Sequence, residues 1–203
     1  MDALLSRTIL TALIAYGLGN LNGAIIVSHA LYHRDVRESG SKNGGLTNFM
    51  RVFGKKAAPL VILVDAGKAL CAVWVGGWLL RDHTTVECGR ALGMLFVVIG
   101  HMFPALFHFR GGKGVLSGIS AIFLIDWRVG LILLGLFLFV LLTTRYVSLG
   151  SILSAAVYPI LAQLFLRQLP VTLLGAVAGG LIIFMHRSNI KRLYNGTENK
   201  FTF

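Results

Sequence analysis

The chain has 203 residues, 56% of them hydrophobic and 13% charged, with a mean hydropathy of +0.76. Soluble domains carry about 25% charged residues, so an ordinary soluble globule is excluded. The composition describes a polytopic, all-α membrane protein, read as one domain over residues 1–203, whose backbone polar groups are satisfied inside helices. Lys and Arg outnumber Asp and Glu by 19 to 8, a formal net charge of +11, and nucleic acid is not expected as a partner.

The first apolar run, Thr8 to Leu31, is longer than a signal-peptide core and has no small-residue cleavage pattern after it, so it is expected to stay as a span. Further runs follow at Ala57–Leu80, Cys88–Phe107, Val115–Ile125, Val129–Leu142, Leu149–Leu166 and Val171–Met185. Together they predict about seven transmembrane helices. The fourth and fifth runs fall short of the roughly 20 residues of a perpendicular span. Fusing them into one helix would set Asp126 and Arg128 at mid-bilayer, at about 3 kcal/mol per charge, so a hairpin turning at Asp126-Trp127-Arg128 is expected. Cys71 and Cys88 form no paired or metal-ligand pattern and read as packing residues.

Basic residues set the orientation. Arg34, Arg37, Lys42, Arg51, Lys55 and Lys56 lie between the first two runs, and seven crossings place them on the same face as Arg110, Lys113, Arg145, Arg187, Lys191, Arg192 and Lys200. The other face holds Arg7, Arg81, Arg90, Arg128 and Arg167. The expected topology therefore has a periplasmic amino terminus and a cytoplasmic carboxyl terminus.

Four polar motifs interrupt this pattern at span ends, all on the predicted cytoplasmic face. In the first loop, Gly40, Gly44 and Gly45 let successive amides turn into one concavity suited to phosphate oxygens. Ser41, Asn43, Thr47 and Asn48 add neutral donors there, and Lys42 and Arg51 add charge. A basic connector touching anionic headgroups would have a similar composition. The second motif runs from Gly100-His101 to Arg110-Gly111-Gly112-Lys113-Gly114. Lys113 stands just before a predicted helix, where open amides and the macrodipole favour an anion. It is no nucleotide P-loop, since Gly114 follows the lysine; a glycine turn with snorkelling cations is the plainer alternative. Ser148 and Ser151 open a span, His186 and Asn189 close one, and each pair shares a face if helical. Taken singly, such residues are as readily caps and interfacial side chains.

Several scaffolds are absent: no Gly-x-Ser-x-Gly elbow, no His-Glu-x-x-His helix, no dinucleotide glycine turn and no His-x4-Asp dyad. Acids on the proposed face are limited to Asp35, Glu38 and Glu198. Chemistry there would rest on positioning and electrostatics, without metal or cofactor.

These motifs, in this order, resemble the bacterial acyl-phosphate-dependent glycerol-3-phosphate acyltransferases over nearly the whole chain. The matching parts are Gly40-Ser41-x-Asn43-x-Gly45-x-Thr47-Asn48, Gly100-His101-x-Phe103-Pro104 with Gly111-Gly112-Lys113-Gly114-Val115, Tyr146-Val147-Ser148-Leu149-x-Ser151, and His186-x-x-Asn189-Ile190-x-Arg192-Leu193 with Gly196 and Glu198. The resemblance implies seven helices in the bacterial inner membrane and a site facing the cytoplasm. It also implies acyl transfer from acyl phosphate to the 1-position of glycerol 3-phosphate, giving lysophosphatidate and phosphate, with a functional link to the enzyme that supplies acyl phosphate. By motif, Ser41, Arg51, Lys113, Ser151, His186 and Asn189 would hold glycerol 3-phosphate and the reacting groups. The backbone around Gly40, Asn43, Gly44, Gly45, Thr47 and Asn48 would cradle the acyl phosphate. His101, Gly111, Gly112, Gly114, Ser148 and Glu198 would support them.

The chain departs from the family pattern at Gly44 and Leu46 in the first loop and at Asn20 and Asn22 in the first run. Two other readings compete. One is a transporter of a phosphorylated anion, for which Asp65 and Lys68 would be the intramembrane ionisable groups, unless they pair across a helical turn. The other is a non-catalytic homologue that binds substrates or scaffolds lipid synthesis.

Overall fold

The computed structural model describes residues 2–202, and all regular structure among them is helical. Ten α-helices occur in order: α1 (Ala3–Gly19), α2 (Gly23–Tyr32), α3 (Leu46–Phe53), α4 (Ala58–Leu80), α5 (Val86–Met102), α6 (Val115–Ile125), α7 (Trp127–Thr144), α8 (Val147–Leu166), α9 (Leu169–Met185) and α10 (Arg187–Tyr194). Short 3₁₀ turns lie at Val36–Glu38 and Ala105–Phe107. The chain forms two compact units, one ending at Ile125 and one beginning at Asp126.

Each of the seven apolar runs is helical, but not each is long enough to cross a bilayer. Five stretches qualify: Ala3–Tyr32, Ala58–Leu80, Val86–Phe107, Trp127–Thr144 and Val147–Leu166. A sixth is obtained if α9 and α10, which meet at a bend of 57°, count as one. The 11 residues of α6 rise only about 16 Å at 1.5 Å per residue, roughly half the hydrocarbon thickness. The fourth and fifth runs are separate helices. Asp126 ends the first and caps the second, accepting hydrogen bonds from the amides of Arg128 (2.9 Å) and Val129 (3.3 Å).

The first run is not one helix. Asn22 caps α2 by accepting from the Ile25 amide at 3.0 Å, while the Asn20 side chain turns back to Tyr16 O at 2.7 Å. Asparagine competes for backbone partners and so breaks a helix where a purely apolar residue would continue it. The loop between the first two spans also contains a helix, α3, where an irregular segment was expected. Its Leu46, Phe49 and Phe53 pack on the cluster of Ala24, Ile25, Val27, Val36, Ala57 and Val61, and Tyr32 stacks on Phe53 at 4.4 Å.

In the first unit, α4 and α5 approach closely because small residues face each other. A Cβ on Gly76 would strike the carbonyl of Gly89, and one on Gly89 the carbonyl of Gly76; such contacts replace the hydrophobic drive that is missing between helices in lipid. In the second unit α8 packs on α9 in the same manner, a Cβ on Gly179 striking the Ala155 carbonyl, and the Tyr158 ring lies against Gly175. Cys71 is exposed on α4 and Cys88 is half-buried, so Cys71 is not the inward packing residue expected of it.

Candidate active site

In the first unit, two loops are laced together into a polar cluster. Asp35 caps the turn at Val36–Glu38 through the Arg37 amide (2.8 Å) and holds the Arg37 guanidinium at 2.6 Å. That hydrogen bond, against an opposing effect of partial burial, brings the Asp35 carboxyl down to about 2. Thus oriented, Arg37 donates to Phe107 O at 2.8 Å and Arg110 O at 2.7 Å, clamping the first loop to the second across some 70 residues of sequence. A second link is the Gly44 amide, which donates to Gly111 O at 3.1 Å. The Gly44 carbonyl in turn accepts from Asn22 Nδ2 at 2.9 Å.

Asn48 organises the first loop from within. Its Oδ1 accepts from the Ser41 amide at 2.8 Å, and its Nδ2 lies 2.8 Å from Val36 O, 3.1 Å from Ser39 O and 3.0 Å from Asn43 O. Gly40 bends through φ +63°, and a Cβ there would collide with Asn48 Oδ1, so glycine is required on two counts. The Gly44 and Ser41 amides are therefore engaged within the protein. The amides of the first turn of α3, at Leu46, Thr47 and Asn48, have no side-chain cap, and are the open donors next to Gly45. Ser41 and Arg51 are exposed, while Asn43, Gly45 and Thr47 are half-buried.

In the second loop the Gly111 amide donates to Met102 O and the Gly112 amide to His101 O, both at 3.1 Å. Gly114, at φ +78°, leads into α6, and Lys113 is half-buried immediately before that helix. The charges weighed for transport do pair: Lys68 Nζ lies 2.7 Å from Asp65 Oδ1, both side chains being 1% exposed.

The second unit carries a further polar cluster, where Glu198 is the hub. Ser148 Oγ donates to Glu198 Oε1 at 2.8 Å, Asn189 Nδ2 to the same oxygen at 2.6 Å, and Arg192 Nε to Oε2 at 2.7 Å. Burial alone would raise the Glu198 carboxyl, but these three hydrogen bonds outweigh it and hold the group below its ordinary value. The Phe201 amide donates to Arg145 O at 2.7 Å, so the tail returns across the start of α8. Ser151 is buried one turn into α8, with Oγ donating to Val147 O at 2.8 Å. His186 is buried at the α9–α10 junction, its Nδ1 2.8 Å from Ile182 O. A carbonyl only accepts, so Nδ1 carries a proton.

The sequence marks Arg37 only as one of the basic loop residues and Asn22 only as a departure from the family pattern; their hydrogen bonds between the loops are visible only in the structure. Asn48 was expected as part of a backbone cradle, yet its side chain is what holds the loop. Among the described residues no group of three or more His, Cys, Asp and Glu side chains is placed to hold a metal ion.

The fold defines a helical integral membrane protein with glycine-rich polar loops at its helix ends. The glycerol-3-phosphate acyltransferase family model matches residues 9–196. A glycerol-3-phosphate acyltransferase of Thermoanaerobacter sp. (strain X514) is 38% identical over 192 residues, 95% of this chain and 94% of the relative. One from Clostridioides difficile (strain 630) is 36% identical over 194 residues, 95% and 94% of the two chains. Among solved structures, the glycerol 3-phosphate form of PlsY (YgiH), an integral membrane glycerol 3-phosphate acyltransferase, superposes with a TM-score of 0.87 at 31% identity, covering 96% of each chain. Its lysophosphatidic acid form gives 0.84 at 29% identity, covering 96% of this chain and 95% of that one. The chain belongs to the glycerol-3-phosphate acyltransferase family.

Proposed function

We propose that the chain is a single membrane-embedded enzyme domain that transfers an acyl group from acyl phosphate to the 1-hydroxyl of glycerol 3-phosphate. The hydroxyl oxygen bonds to the acyl carbon, the mixed-anhydride C–O bond breaks, and inorganic phosphate leaves. The hydroxyl proton passes to a phosphate oxygen, so no protein nucleophile and no cofactor is needed. The observation that carries this reading is the pair of glycine turns joined at Gly44 and Gly111, with open amides at the start of α3 and Lys113 just before α6. Such donors stabilise charge developing on a departing phosphate.

In this reading the amides around Gly45, Leu46 and Thr47, framed by Gly40, Asn43, Gly44 and Asn48, receive the acyl phosphate. Ser41, Arg51, Lys113, Ser151, His186 and Asn189 hold glycerol 3-phosphate and the reacting atoms. The site faces the cytoplasm of the bacterial inner membrane, with about seven crossings when the short α6 is counted as one and with the amino terminus outside, and acyl phosphate comes from a separate enzyme. Support for the orientation is the concentration of cations on the loops that carry these residues.

Purified protein given both substrates should release phosphate and lysophosphatidate. Lys113→Ala or His186→Ala should lower kcat by about 10²-fold or more; full activity in either variant would refute the assignment. Cysteines placed at Ser41, Lys113, Ser151 and His186 should all react from the cytoplasmic side, and labelling of any from the periplasm would overturn the topology.

A further inference from the structure

Three ionisable side chains inside the first unit are left unused by this mechanism. Asp65 and Lys68 lie one turn apart on α4 with 1% of each side chain exposed, and His101, in the last turn of α5, is 4% exposed. Charges withdrawn this far from water cost several kcal/mol each unless every hydrogen-bonding position is matched. The ammonium is matched: Lys68 Nζ lies 2.7 Å from Asp65 Oδ1, 2.7 Å from Leu21 O and 2.9 Å from His101 Nδ1, with Gly19 O at 3.3 Å. Asp65 Oδ1 also accepts from the Gly23 amide at 3.0 Å. The cluster therefore ties the break between α1 and α2 to α4 and α5.

His101 Nδ1 has two polar neighbours, Lys68 Nζ at 2.9 Å and Asp65 Oδ1 at 3.4 Å. With Lys68 as an ammonium, which has three protons and no acceptor, Nδ1 accepts from the nearer Nζ, and the ring's own proton resides on Nε2. That Nε2 edge stands where a Gly112 side chain would be, since a Cβ on Gly112 would strike it. The Gly112 amide donates to His101 O at 3.1 Å, so the turn wraps the histidine on both its backbone and its ring. Lys113 is the next residue.

We propose that Asp65, Lys68 and His101 are positioning residues for acyl transfer: the Lys68–Asp65 pair locks the tautomer and rotamer of His101, and the ring is the peg around which Gly111 and Gly112 turn to place Lys113. The proposal rests on the acyltransferase reading and deepens it. A displacement of a reacting charge by about 1 Å costs on the order of 10²-fold, so the effect belongs in kcat.

The test is phosphate release by the purified full chain, with wild type, His101→Asn and the double variant Asp65→Asn/Lys68→Met. His101→Asn keeps an acceptor for Lys68 and removes the outer part of the ring; the double variant removes both buried charges together, so neither is stranded. Each is expected to keep the wild-type thermal midpoint within a few degrees and to lose about 10–100-fold in kcat, with both KM values within about threefold of wild type. A folded variant of either kind with wild-type kcat overturns the proposal, because a purely structural cluster would be restored by removing its charges in pairs. Inactive wild type would instead refute the acyltransferase reading itself, which separates the two failures.

Discussion

Removing the Asn48 side chain should disorder the first loop without unfolding the spans. Asn48 is 2% exposed and joins four backbone groups spread from Val36 to Asn43. Its two amide protons face three carbonyls, so Asn48→Ala removes about three hydrogen bonds, worth about 1 kcal/mol each net. Water can replace part of this at Ser41, which is exposed, but not at the buried Val36. A loss of about 2–3 kcal/mol in loop order remains, which at 1.4 kcal/mol per tenfold lowers the ratio of ordered to disordered loop by about 30–140-fold and kcat/KM by up to that factor. Asn48→Asp should be worse, because a carboxylate oxygen would replace the donor and face the three carbonyls. The assay is phosphate release alongside limited proteolysis: the variants should be cut between residues 33 and 57 while the thermal midpoint of the spans is retained. Wild-type kcat/KM and protease resistance in Asn48→Ala would refute the reasoning.

Two further outcomes follow from groups in the second unit. Glu198 titrates below its ordinary value when folded, so its anchoring of the tail is complete above the unfolded carboxyl value of 4.5 and lost as pH falls through the lowered folded value. Hydrogen exchange at the Thr197 and Phe201 amides, corrected for intrinsic rate, should be constant from neutral pH to 4.5 and accelerate below it, whereas in Glu198→Gln the acid-dependent acceleration should vanish. The Tyr158 hydroxyl is buried with no hydrogen-bond partner among the described residues; Tyr158→Phe keeps the ring against Gly175 and should stabilise by about 1 kcal/mol, raising the thermal midpoint by about 2–4 °C. A fall in the midpoint would show that the hydroxyl has a partner in the membrane.

Hydropathy locates every apolar helix here, because lipid makes burial and composition the same property, but it does not report length in space. Hence α6 reads as a crossing, although 11 residues are too few for a perpendicular one. The sequence carries a signal for α3, since Leu46, Phe49, Met50 and Phe53 recur at helical spacing just after the glycines of the first loop. The same helix accounts for Leu46, whose bulk packs on the core beneath it. Asn20 and Asn22, departures from the family pattern, both have partners at a helix break: Asn20 Oδ1 accepts from the Leu106 amide at 3.1 Å, and Asn22 supports Gly44.

The candidate residues were legible by type and place, but their division of labour was not. The sequence places the Gly44 backbone among the amides that cradle a ligand, and in the folded chain its amide binds Gly111 O instead, while the Ser41 amide binds Asn48. Arg37 looked like one more surface cation, since its partners are carbonyls 70 and 73 residues away and carbonyls leave no mark in the sequence. His101 had the same ambiguity until the ammonium beside it fixed which nitrogen accepts.

The most direct measurement of the account compares acyl donors. Purified protein in lipid, supplied with glycerol 3-phosphate and with acyl phosphate, acyl-CoA or acyl carrier protein in turn, should form lysophosphatidate from acyl phosphate alone, with one phosphate released per product. Equal turnover with a thioester donor, or product without stoichiometric phosphate, would contradict a site built around a departing phosphate.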